Sequence, residues 1–151
     1  MIRELAPGET ALASAALLAL RPQFGTAENL VAVIDGRQRG EGYRLVASFA
    51  DGDQQAAAAA GFRVINHLAW GHAMYCDDLS TRPEHRRAGH AGLLLDWMID
   101  EAIRLECGEF HLDSATTGDR ADAHRLYMNK GMRIAAHHFQ CALRPRAGAS
   151  G

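Results

Sequence analysis

Between a strand-like run, residues 73–80, and an amphipathic helix starting near Ala91 lies the segment Arg86-Arg87-Ala88-Gly89-His90-Ala91-Gly92. A loop of small residues in that setting offers an anion the unpaired N–H groups and the positive dipole end of a helix N-terminus. Its two arginines make phosphate the expected anion, in more than one group. A strand feeding such a loop and then a helix is a building unit of α/β folds. The Walker loop is excluded, since no lysine occurs between Met1 and Gly92. The dinucleotide fingerprint G-x-G-x-x-G is not supplied either.

Periodicity and turn signals divide the rest of the chain. Residues 1–5 read as an edge strand ended by Pro7-Gly8, followed by an Ala/Leu-rich helix that stops before Pro22. Thr26 can cap a second helix running to about Arg39. Residues 43–49 and 55–65 are strand-like and joined around Asp51-Gly52. The alanines at 56–60 favour helix by propensity, but their place between a hairpin turn and Gly61-Phe62-Arg63-Val64-Ile65 favours strand. After the arginine loop a helix is expected over 91–106, with Leu94, Leu95, Met98 and Ala102 on its apolar side. A short strand at 109–113, a helix at 120–129 and a last strand at 132–143 complete the order β-α-α-β-β-β-α-β-α-β. The Ala/Gly/Ser/Pro/Arg tail, 144–151, is expected to be disordered.

Two segments carry a resemblance. Arg86-x-x-Gly89-x-Ala91 resembles the pyrophosphate loop of the GNAT acetyltransferase superfamily, (Q/R)-x-x-G-x-(G/A). Ala123-x-x-x-Tyr127-x-x-x-Gly131-Met132 resembles that family's later helix, A-x-x-x-Y-x-x-x-G-(F/M). Together they cover about 73–142. The resemblance implies a mixed α/β, GNAT-like fold: a central, mostly antiparallel twisted sheet of six to seven strands flanked by four helices, in a single domain over 1–143. It implies an N-acetyltransferase that moves the acetyl group of acetyl-CoA to a primary amine of a small molecule, directly and in a ternary complex. The alternatives are a non-catalytic acyl-CoA-binding regulatory module and a protein N-acetyltransferase.

By the same resemblance, Arg86, Arg87, Ala88, Gly89, His90, Ala91 and Gly92 wrap the cofactor pyrophosphate. Backbone groups of Leu79, Ser80 and Thr81 meet the pantetheine arm and thioester. Tyr127 is the general acid for the leaving thiolate, which suits a phenol of pKa about 10. The base is read from the residues. Asp77 and Asp78 are consecutive in a strand, so alternation sends them to opposite faces, with Asp77 beside Tyr75 and Leu79 on the cleft side. A bulge would reverse this and bring in Asp78, and water could serve instead. Phe24, Glu28, Phe62 and Tyr75 are the candidate acceptor-lining residues.

Composition narrows the partners. A net charge of -2 gives no basic face for nucleic acid. The apolar run 11–20 is too short to span a bilayer, and no targeting segment is visible. The three cysteines have no C-x-x-C spacing, and the eight histidines no H-x-x-x-H spacing, so no metal is expected and the cytoplasm is the expected location. A shortened C-terminal end could leave a sheet edge for a second subunit to cover, which makes a homodimer an expectation.

Overall fold

The protein is described here by a computed structural model over residues 1–143. Two compact units divide the chain, Met1–Leu112 and Asp113–Gly151. The expected disordered tail at 144–151 lies outside the described residues.

The first unit holds a sheet of five strands among the described residues: β1 (Ile2–Glu4), β2 (Arg44–Ser48), β3 (Ala58–His67), β4 (Gly71–Thr81) and β5 (Glu109–Leu112), paired in that order. The first three pairings are antiparallel, and β4 with β5 is parallel. The sheet is therefore mixed, with five strands rather than six to seven. β4 reaches β5 through α3 (His90–Arg104), since parallel neighbours need a crossover connection.

Helices cover both faces. On one side α1 (Ser14–Leu20) and α2 (Ala27–Val33) lay Leu17 and Leu30 on Leu45, Ala47 and Ala59. On the other, α3 buries Leu94, Leu95 and Met98, and Trp97 meets Phe62 edge-on with ring centroids 5.9 Å apart. This two-sided cover explains the alanine run. Ala56 through Ala60 are fully buried, and inside a covered sheet tertiary packing overrides their helix propensity. The helices depart locally from expectation. A 3-10 turn, Thr10–Ala13, precedes α1, and α2 widens at its end into a π turn, Ile34–Gln38.

The second unit contains α4 (Ala121–Asn129). Its carbonyls are closed by Gly131 in a left-handed conformation (φ 79°), with Met132 N–H donating to the Tyr127 carbonyl at 3.1 Å. The last expected strand, 132–143, does not form among the described residues. A strand is defined by its ladder partner and a covered face, not by propensity alone. Here Ile134, Phe139 and Leu143 are all exposed.

Candidate active site

The site begins with an irregularity in β4. Phe62 pairs with Cys76 but Gly61 pairs with Asp78, so Asp77 is an extra residue on β4. Such a bulge breaks strict alternation. Asp77 and Asp78, expected on opposite faces, both line one cavity on the α1/α2 side of the sheet. Leu79 pairs with Ala60 beyond the bulge and so leaves the side that Asp78 faces.

The cavity holds about 330 Å³. Its polar floor is a chain of hydrogen bonds. Arg21 Nε donates to Asp78 Oδ1 at 2.7 Å, and Arg21 Nη2 donates to the Asp77 carbonyl at 3.2 Å. Tyr43 Oη donates to Asp78 Oδ2 at 3.0 Å. Arg63 Nε donates to Asp77 Oδ2 at 2.6 Å, while its other nitrogens reach the Glu41 carbonyl and Gln38 Oε1. Asp77 Oδ1 has no hydrogen-bond partner among the described residues. Gly61 makes this floor possible: a Cβ there would lie inside the Tyr43 ring, so only glycine lets the tyrosine cross the strand.

Burial decides the protonation chemistry. It raises the Asp77 carboxyl above the ordinary carboxylate range, against the pull of the Arg63 guanidinium. Burial, then the neighbouring Asp78, pushes the Tyr43 phenol well above its usual value, so Tyr43 stays a hydrogen-bond donor. Burial also raises the Cys76 thiol, leaving it a packed, un-ionised group.

Past the bulge β4 changes character. β5 pairs only with Ala73–Cys76, so from Asp77 to Thr81 the edge facing away from β3 carries no ladder among the described residues. Leu79, Ser80 and Thr81 lie on this free edge. The chain then leaves through a 3-10 turn, Pro83–His85, into the arginine loop. Arg87 (φ 65°) and Gly89 (φ 86°) are both left-handed, and α3 starts at His90 with no side-chain cap. The first-turn N–H groups, which include those of Ala91 and Gly92, are therefore open among the described residues. Arg86, Arg87, Ala88 and Gly89 are exposed. His90 is held at its Nδ1 by Ser48 Oγ at 2.8 Å, and burial lowers its pKa.

Of the expected acceptor-lining residues, Phe24 lines the cavity. Phe62 is packed on the opposite face against Trp97, because it is even-numbered with the α3-facing residues of β3. Tyr75 stacks toward Trp70, and Glu28 is exposed in the first turn of α2. Tyr127 lies on α4 in the second unit, half-buried with Ala123 and Leu126. Sequence reasoning did not place Arg21, Gln38 or Tyr43 in the site. The available signal was Gly61 inside a strand, which marks a close approach. Among the described residues no three His, Cys, Asp or Glu side chains gather into a metal-binding group, and no helix is long and apolar enough to cross a membrane.

Comparison with known proteins bears on the fold and the family. The fold is shared at low identity with several solved structures. A ribosomal-protein-alanine N-acetyltransferase from Brucella melitensis biovar Abortus 2308 is 17% identical with a TM-score of 0.75, covering 95% of this chain and 98% of its own. An acetyltransferase from Trypanosoma brucei is 17% identical with a TM-score of 0.73, covering 95% and 99%. A transcriptional regulator from Bacillus halodurans C-125 is 19% identical with a TM-score of 0.76, covering 95% and 99%. No curated protein is matched by the sequence. The sequence profile of the acetyltransferase (GNAT) family matches residues 13–132, most of the chain including both motif segments. The chain therefore belongs to the GNAT family of acyltransferases.

Proposed function

We propose that the chain moves the acetyl group of acetyl-CoA directly to a primary amine of a small molecule, in a ternary complex. The observation that carries this reading is the bulge in β4. It gathers two carboxylates into one cavity immediately before the free edge of the same strand and the arginine loop.

The chain's residues fit acetyl-CoA in their chemistry. The free edge at Leu79, Ser80 and Thr81 offers unpaired backbone groups to the amide-rich pantetheine arm. Arg86, Arg87 and the open first turn of α3, including His90, Ala91 and Gly92, suit the pyrophosphate. Acetyl-CoA, when bound, supplies an activated acyl carbon and a thiolate leaving group. Asp77, made more basic by burial and with one oxygen free, takes the amine proton directly or through water. Asp78 has both oxygens occupied by Arg21 and Tyr43 and shapes the floor. Tyr127 is the acid that returns a proton to sulfur, a role resting on its place in the helix motif.

The family match runs across both units, which supports 1–143 as one domain. Three free cysteines support a reducing compartment, and we place the protein in the cytoplasm. A polypeptide α-amine is the second reading, favoured by the name of the Brucella neighbour.

Calorimetric titration tests the cofactor: acetyl-CoA should bind at micromolar concentration and ATP much more weakly. Tyr127→Phe should lower turnover roughly 10-fold with cofactor affinity kept. Unchanged turnover in that variant removes Tyr127 from the mechanism. Cofactor binding without acetylation of any amine supports the non-catalytic module instead.

A further inference from the structure

The cavity in front of Asp77 also specifies its acceptor, given the acetyltransferase reading above. Its charged lining is balanced: Arg21 and Arg63 stand against Asp77 and Asp78, and each carboxylate already meets one guanidinium. A polycationic amine would find no surplus negative charge there to compensate the loss of its hydration.

Within the four charged side chains two polar atoms have no partner among the described residues, one of each sign. Arg63 uses all three nitrogens on Asp77, Glu41 and Gln38, so it is committed to the wall. Arg21 is committed only through Nε and Nη2. Its Nη1 has no partner among the described residues, and the side chain is 42% exposed. Asp77 Oδ1 likewise has no partner among the described residues. Both anchors line the one cavity, and Arg21 Nη2 lies 3.2 Å from the Asp77 backbone carbonyl. One cavity that offers a spare cation and a spare anion suits a small ligand carrying both charges. The other wall is apolar, built from Leu17, Leu30, Val33 and Ile34, and the volume of about 330 Å³ is at the small end for ligand pockets.

We propose that the acceptor is a free amino acid with an apolar side chain, its α-carboxylate on Arg21 and its α-amine on Asp77. A carboxylate gains a charge-assisted contact from the spare guanidinium arm, and the side chain displaces water from the apolar wall. In the reaction the α-nitrogen bonds to the acetyl carbon as the carbon–sulfur bond breaks. The ammonium gives up two protons, one to Asp77 and on to water, the other to the sulfur that leaves as thiol.

The probes are L-leucine, L-leucinamide and spermidine, titrated calorimetrically into protein saturated with CoA, with N-acetyl products from acetyl-CoA followed by mass spectrometry. Leucine should bind roughly 10-fold or more tightly than leucinamide, and Arg21→Gln should abolish that difference while Arg21→Lys restores part of it. Leucinamide equal to or better than leucine overturns the proposal and favours a polypeptide α-amine. Tighter binding of spermidine overturns it in favour of a polyamine. In both cases acetylation of the preferred probe leaves the acetyltransferase reading standing. Failure of CoA itself to bind removes that reading and this proposal together.

Discussion

Two carboxylates, the buried Glu101 and the half-buried Asp77, one on each face of the sheet, have been given opposite fates. Glu101 on α3 is met by Arg104 at both oxygens, at 2.6 and 2.7 Å, and by Arg44 at 2.6 Å. These guanidinium contacts outweigh desolvation and hold its carboxyl at about 2. Asp77 on β4 is met by Arg63 alone, burial prevails, and its proton affinity rises. The same functional group is a fastener where every oxygen is claimed and binds its proton more tightly where one is spare. What separates them is the number of cations supplied for each carboxylate set against the water removed from it.

The strongest way to break this contrast is at Gly61. Gly61→Ala places a methyl group inside the Tyr43 ring and should cost about 3 kcal/mol of stability, measured by urea unfolding. It should also disturb the Tyr43–Asp78 contact and lower turnover. Full stability with full turnover would show that the tyrosine has room the close packing denies it.

Next in size is Asp77→Asn. It should lower kcat/KM roughly 100-fold, about 2.7 kcal/mol in the transition state, with acetyl-CoA affinity unchanged. Equal activity would transfer the base role to Asp78 or to water.

Glu101→Gln is the mirror experiment. It should cost about 2 kcal/mol of stability at neutral pH and leave turnover intact. The sign of its pH dependence follows from the lowered carboxyl. The stabilisation is present above the unfolded value near 4.5 and is lost as pH falls from there toward 2. The gap in stability between the natural chain and the variant should close across that window. A gap that persists at pH 2 would make Glu101 a packing residue.

The smallest expected effect is Arg63→Gln. Removing the guanidinium bonded to the Asp77 carboxylate raises its proton affinity further, so the acidic limb of the pH–rate profile should move to higher pH. A limb that stays in place means that Asp77 is not the group titrating in it.

The parts of the site that could be read from the chain are local. Arg86, Gly89 and Ala91 lie within one turn of a helix start, and the open N-terminus they announce needs no distant residue. Alternation and turn residues placed all five strands to within a few positions, the alanine strand included. The final strand failed for the opposite reason. Residues 132–143 have strand composition, but a ladder requires a partner and a cover that no local pattern specifies. Asp77 and Asp78 could be nominated but not oriented, since one bulge residue reverses every inference from period two.

The sequence by itself determined the strand–loop–helix unit, the exposed arginines of its loop, the helix motif around Tyr127 and hence the family. Each depends on residues a few positions apart, where chain connectivity fixes geometry. Only the tertiary structure decided the cavity in front of the two aspartates. Arg21 reaches Asp78 across 57 positions of sequence and Tyr43 reaches it across 35, so their meeting depends on how α1 and β2 settle on β4. It also decided which carboxylate has the raised proton affinity, because that depends on the water excluded and the cations admitted, and both are properties of packing.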